Sequence, residues 1–242
     1  MVCHRNRSRN HAAALVVACI VFGLNVIEST VVIGNQVLRN SSFELLQGHS
    51  VAILTNPSGV FPDTLQHIVD HLHFETDVHI AAILAPEHGF RGDHQAEAGD
   101  PDSYIDKATN LTVFSVYRKN TSDIQQILSR CGATLLLVDV QDVGTRLYTF
   151  IWTMFDVMMA IANSTVQNQS KGIEVIVLDR PNPVGGLFVE GPTLNVSCCT
   201  SRYGKAAVTH RHGLTIGELA RLFDGESFNG TLQRHQVFIT RC

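Results

Sequence analysis

Six short, almost unbroken apolar runs recur along the chain, and they decide what it can fold into. Residues 51–56, 78–85, 113–117, 134–140, 173–178 and, more weakly, 236–240 have the length of strands. They lack the polar–apolar alternation of a sheet with one wet face, so both of their faces must be covered. Helical spacing fills the gaps between them. Leu65, Ile68, Val69 and Leu72 share one face of a helix expected over 62–73, and Ser122-Asp-Ile-Gln125 has the form of a capping box opening a helix to Arg130. A long helix is expected over about 148–163, and Thr215-Ile-Gly-Glu218 is a second capping box, ahead of Leu219, Leu222 and Phe223. Alternating strands and helices without an internal repeat predict one α/β domain: a doubly wound, mostly parallel sheet with helices on both faces.

A different pattern precedes these elements. Arg5, Arg7 and Arg9 lead into an apolar run from Ala12 to Leu24, the order of a secretory signal peptide and shorter than the ~20 residues of a membrane span. Residues 1–28 are therefore set apart as a signal peptide, with an uncleaved signal anchor as the alternative, and 29–242 hold the α/β domain. Asn-x-Ser/Thr triplets then follow at Asn40, Asn110, Asn120, Asn163, Asn168, Asn195 and Asn229, where about two are expected by chance. That excess points to a secreted or lumenal glycoprotein, because glycans need exposed positions, with no stable membrane span once the signal is cleaved. An oxidising compartment allows disulfides among Cys131, Cys198, Cys199 and Cys242. Adjacent Cys198 and Cys199 are not expected to bridge each other, since disulfide geometry favours Cα atoms about 5.5 Å apart.

Composition and missing motifs remove several function classes. The 18 Lys and Arg against 22 Asp and Glu, a net charge of −4, leave no basic excess for phosphates, so a nucleic-acid partner is not expected. G-x-S-x-G, G-x-G-x-x-G and the P-loop pattern are absent from the sequence, which disfavours a nucleophile-elbow esterase and a dinucleotide or P-loop site. His67 and His71 have i, i+4 spacing but no patterned third ligand and read as a solvated polar face. No metal and no organic cofactor is expected.

In open parallel sheets, ligands bind at the carboxyl ends of the strands, and four loops there are rich in chemistry. They are Thr55-Asn-Pro-Ser-Gly59, Pro86-Glu-His-Gly-Phe-Arg-Gly92, Gln141-Asp-Val-Gly-Thr-Arg-Leu-Tyr148, and Asp179-Arg-Pro-Asn-Pro183 running into Val189-Glu-Gly-Pro192. Convergence over one crevice would join their carboxylates, Arg and Asn. Each also has a purely structural reading: Glu87-His88 as a helix cap, Asp142 with Arg146 as an ion pair, Asp179-Arg180 as a strand-to-loop tie, Glu190 as a turn residue.

Five ordered strings carry a resemblance. Pro86-Glu-His-Gly-Phe-Arg-Gly92, Asp139-Val-Gln-Asp-Val-Gly-Thr-Arg146, Leu178-Asp-Arg-Pro-Asn-Pro183, Val189-Glu-Gly-Pro192 and His212-Gly-Leu-Thr-Ile-Gly-Glu-Leu219 closely resemble a mainly bacterial family long known as a domain of unknown function, YbbC-like. Its members are exo-β-N-acetylmuramidases of the NamZ type, which release terminal N-acetylmuramic acid from peptidoglycan fragments. The resemblance spans roughly 51–225 and implies a Rossmann-like N-terminal domain with the catalytic cleft, and a muramyl saccharide or peptidoglycan fragment as the partner. Family members usually continue into a second domain, so a chain ending at Cys242 reads as a fragment, a shortened gene product or a minimal form. Arg118 stands where a glycine is common in the family, and 197–201 lack its usual Ser-Phe stretch.

Glycoside cleavage generally needs a carboxylic acid to protonate the leaving oxygen and a second carboxylate as nucleophile or base. Glu87 is assigned the acid, with Asp142 and then Glu190 as the second group. Arg91, Arg146 and Arg180 are candidates for the lactyl carboxylate of muramic acid, since guanidinium pairs bidentately with carboxylates. Asn56, His88, Tyr148, Asp179, Asn182 and His212 complete the expected substrate-binding set. Two alternatives stand beside the hydrolase: a secreted muramyl-binding module without turnover, and an inactive truncated product.

Overall fold

The computed structural model describes residues 31–95, 101–168, 172–232 and 237–240. The expected signal peptide lies outside them. Seven strands form one sheet in the order β3-β4-β2-β1-β5-β6-β7: β1 (Ser50–Thr55), β2 (His79–Ala85), β3 (Ser103–Ile105), β4 (Thr112–Ser115), β5 (Leu135–Asp139), β6 (Glu174–Leu178) and β7 (Val237–Thr240). All neighbouring pairs are parallel except β3 with β4. The helices are α1 (Gly34–Asn40), α2 (Ile68–Glu75), α3 (Thr121–Arg130), α4 (Thr149–Asn168) and α5 (Ile216–Leu222).

Side chains of a strand point alternately to its two faces, so an all-apolar strand feeds two cores. Val51 and Ile53 of β1, Leu135 and Leu137 of β5, and Ile176 and Leu178 of β6 join Leu38 of α1 and Ile68, Val69 and Leu72 of α2. Ala52, Leu54, Leu136, Val138, Val175 and Val177 point the other way, against α3, α4 and α5. That second core is anchored by Trp152, Phe155, Phe223 and Phe228, whose rings meet at centroid distances of 5.1–6.1 Å. Each fully buried aliphatic or aromatic side chain contributes about 1.5–3 kcal/mol of transfer free energy. The doubly wound sheet is therefore what these runs demand.

Several local expectations need correction. Helix α2, expected from 62, begins at Ile68; Leu65 is exposed with φ of 57°, and His67 caps the helix by accepting from the Val69 N–H. His67 is buried rather than a solvated face, and burial lowers its pKa below the usual imidazole range. The α3 cap is Asn120, whose side chain accepts from the Asp123 N–H, so Ser122 does not open that helix. The Thr215 capping box is present with both of its bonds. Strand β3 escaped notice because its burial alternates exposed, half-buried, exposed, as an edge strand permits. Cys198 and Cys199 are joined by a disulfide, against expectation. A turn starting at Asn195 directs both of their N–H groups to one carbonyl and gathers the pair.

Candidate active site

The chain runs from β1 to β2 on one side and later returns to β5 on the other, so the sheet changes winding direction between β1 and β5. Ligand crevices open at such a point, outside the strands' carboxyl ends. Asn56 fastens it. Its Nδ2 donates to the Gln141 carbonyl at 2.8 Å, and its Oδ1 accepts from Ser58 Oγ at 2.6 Å and from the Gln141 N–H at 3.4 Å. The buried amide ties the loop after β1 to the loop after β5 and has little left for a sugar, a structural role in place of the expected binding one.

Glu87 follows β2 and is half-buried. Its Oε2 accepts from Thr149 Oγ1 at 2.7 Å, which links it to the first turn of α4 and thus to the β5 loop. His88, next in sequence, is exposed in a left-handed conformation with φ of 72°. Backbone strain of this kind on a non-glycine residue clusters at functional sites. On the far side of Glu87 lies Tyr117, just beyond β4. The Tyr117 hydroxyl is buried with no hydrogen-bond partner among the described residues. It is close enough to the carboxylate of Glu87 and the guanidiniums of Arg118 and Arg202 to feel all three. Burial raises its pKa above the usual phenol range, Glu87 adds to the rise, and the two arginines oppose it.

Asp142 is the buried carboxyl of the site. Oδ1 accepts from the Gly144 N–H at 2.6 Å, while Oδ2 is buried and has no partner among the described residues. Burial pushes its pKa up to about 6, against the Gly144 N–H, which stabilises the anion. The tight turn stands where the purely structural reading had an ion pair with Arg146. His212 lies behind the next loop. Its Nδ1 accepts from the Leu214 N–H, so the neutral ring carries its proton on Nε2, which is buried and unpartnered among the described residues. Burial lowers the pKa of His212, favouring that neutral form. Gln141 Oε1 and Arg146 Nε are orphaned in the same way. Buried polar atoms are normally paired, so their concentration on one rim marks capacity held for a polar ligand.

The remaining expected residues are committed to the fold. Four N–H groups of Arg91 engage Asp70 and Asp106 at 2.7–3.1 Å, and the guanidinium together with Thr109 holds the Asp106 carboxyl down at about 2. Arg180 donates from Nε and Nη2 to buried Asp139. Arg146 Nη1 reaches the carbonyls of Pro192 and Val208, at 3.0 and 2.7 Å. Arg91 and Arg180 are thus spent on carboxylates of the fold, while Arg146 keeps its Nε unpaired among the described residues. Asp179 accepts from the Gly217 N–H and Thr215 Oγ1 and so anchors the start of α5. Asn182 spans from the Val184 N–H to the Leu214 carbonyl. Glu190 is exposed and pairs with Arg211 at 2.6 Å, and the Tyr148 side chain is exposed on the rim. Glu87, Asp142, His88, Tyr148 and His212 thus keep chemistry to offer. Sequence reasoning missed Tyr117, Thr149, Arg118 and Arg202; the position of Tyr117 just past an apolar strand was the available signal.

The family model for exo-beta-N-acetylmuramidase NamZ, N-terminal, matches residues 51–238. The chain belongs to the NamZ family. Peptidoglycan beta-N-acetylmuramidase NamZ of Bacillus subtilis is 42% identical over 182 residues, which are 75% of this chain and 41% of that protein. Two solved DUF1343 family proteins of Bacteroides fragilis share the fold. One has a TM-score of 0.68 at 36% identity, covering 81% of this chain and 46% of its own; the other has 0.65 at 30%, covering 88% and 51%. This NamZ-family chain therefore spans about half or less of the length of these relatives.

Proposed function

We propose that the chain binds a terminal N-acetylmuramic acid of a peptidoglycan fragment and hydrolyses its β-glycosidic bond. Reversing the expected order, Asp142, protonated below about pH 6, gives a proton to the leaving oxygen, and Glu87, whose carboxylate accepts from Thr149 Oγ1, draws the proton from the water that adds to the sugar carbon. The observation that carries this reading is the pair of carboxyls on the loops after β2 and β5, one half-buried and one buried, bridged by residues of a single loop-to-helix turn. Strands two places apart lie about 10 Å apart, so carboxyls at their ends start near the roughly 5–9.5 Å spacing of glycosidases. The names of the relatives agree with the chemistry.

The test is release of sugar from a chromogenic muramide. Glu87→Gln is expected to abolish release with an unchanged unfolding midpoint, and wild-type release should fall as pH rises through about 6, where Asp142 loses the proton it donates. Near-normal turnover in Glu87→Gln removes that residue from the mechanism. Muramide binding by the wild type without any release favours the binding-module reading, which the chain's 41% share of the Bacillus relative's length keeps in play. We also propose passage through the secretory pathway: the sequon residues Asn40, Asn110, Asn120, Asn163, Asn195 and Asn229 are all exposed.

A further inference from the structure

The carboxylate of Glu87 is fixed from two directions. Its backbone belongs to a turn in which the Gly89 N–H donates to the Pro86 carbonyl at 3.1 Å, and His88 and Gly89 are both left-handed, with φ of 72° and 76°. Ala85 and Phe90, on either side of the turn, are buried, and the Ala85 carbonyl accepts from the Val116 N–H of the chain leaving β4. The main chain is thereby set, but a glutamate side chain still has several torsions to fix. Thr149 removes that freedom: its Oγ1 donates to Oε2 at 2.7 Å, across 62 residues of sequence. The threonine is itself firmly held. It is the first residue of α4 and only 8% exposed, and its β-branched side chain has few rotamers open to it in a helix. Its carbonyl accepts from Thr153 Oγ1 at 3.0 Å. Ile151 and Trp152, farther along the same turn, are buried in the core, and Trp152 Nε1 donates to the Arg146 carbonyl at 2.7 Å, which pins the loop just ahead of the helix. A hydroxyl has a single proton to give, and here it goes to Glu87.

We propose that Thr149 is the positioning residue of the base: by holding Oε2 of Glu87 it turns Oε1 towards the water that adds to the sugar carbon, an assignment that rests on the muramidase reading above. Glu87 is half-buried rather than sealed, so its carboxylate can meet a ligand, whereas buried Thr149 touches neither sugar nor water. In the step it serves, Glu87 Oε1 takes one proton of the water, whose oxygen bonds to the sugar carbon while the glycosidic bond breaks. Asp142 gives its proton to the leaving oxygen, and solvent returns both carboxyls to their starting forms. A base has to lie within hydrogen-bond reach of the proton it abstracts, and a displacement of about 1 Å is enough to cost roughly a hundredfold in rate. Tethering one oxygen to a helix that is packed into the core gives a long side chain the fixity of that helix.

Release of sugar from 4-nitrophenyl N-acetylmuramide is compared in the full chain and in Thr149→Val, Thr149→Ala and Thr149→Ser, with thermal unfolding of each. Valine keeps the shape of threonine and lacks the hydroxyl. The kcat of Thr149→Val is expected to fall on the order of tenfold to a hundredfold, the range for a lost hydrogen bond to a charged group. Its KM and Tm should stay close to those of the wild type, and Thr149→Ser should restore most of the rate. Thr149→Ala frees Glu87 in the same way, so it should match the valine variant in kcat, and it stands in for that variant should valine prevent folding. A KM that rises with kcat unchanged, a rate loss that serine does not repair, or collapse of the fold in both the valine and the alanine variants makes Thr149 a structural residue and overturns the proposal. If the wild type releases sugar and Thr149→Val keeps pace with it, the positioning role is lost and the hydrolase stands. If the wild type releases none, the hydrolase reading fails and takes this one with it.

Discussion

At the scale of single residues, the site is divided between side chains that are used up and side chains that are not. Arginine was the misleading residue type: Arg91, Arg146 and Arg180 stand in the family strings, yet each satisfies a buried carboxylate or a loop carbonyl. A sequence records that a guanidinium is near a strand end and says nothing about which anion reaches it first. Asp142 illustrates the opposite case: one of its oxygens is buried without a partner among the described residues, and the carboxyl sits at about 6. Its folded-state pKa exceeds the unfolded value of about 4, so the native state holds the proton more tightly, and stability falls as pH rises between about 4 and 6. Asp142→Asn keeps an acceptor for the Gly144 N–H and removes the buried charge. Urea unfolding should find it more stable than wild type by on the order of 2–3 kcal/mol above pH 6, with the difference vanishing below about pH 4. A constant difference across that range would show that ionisation is not its source.

At the scale of elements, apolar runs of β-branched and leucine residues made the six main strands readable to within two residues. Their two-sided burial is a property of each strand alone. Helix starts were less legible, because a cap depends on which side chain reaches an N–H. Asn120 wins over Ser122 at α3, and His67 takes the position at α2. The two missed elements, α1 and β3, are short and packed by tertiary partners rather than by their own periodicity. Thr215 at α5 was legible and carries two duties, accepting from the Glu218 N–H and donating to Asp179 Oδ2. Thr215→Ala should therefore lower stability by about 1–2 kcal/mol, with Thr215→Ser restoring most of it. Thermal unfolding of the pair checks this, and an unchanged Tm in the alanine variant would deny the cap its role.

At the scale of the molecule, the rule that ligands gather at the carboxyl ends of parallel strands is what directs the proposed site to the loops after β1, β2, β5 and β6. The same rule could not foresee that a segment after β6 reaches Tyr117, because no local pattern encodes where a long loop travels. The exposed sequons make a prediction of this scale: chain produced in a eukaryotic secretory host should lose several glycans' worth of mass on treatment with an N-glycosidase, and a product of unmodified mass would oppose secretion. One feature of the segment after β6 reaches further. Arg146 Nη1 grips carbonyls at both ends of residues 193–207, and Lys205 pins the same stretch to Asp156 of α4. Two cations from different parts of the chain thus share the fastening, so cutting either one by substitution should leave the stretch held by the other.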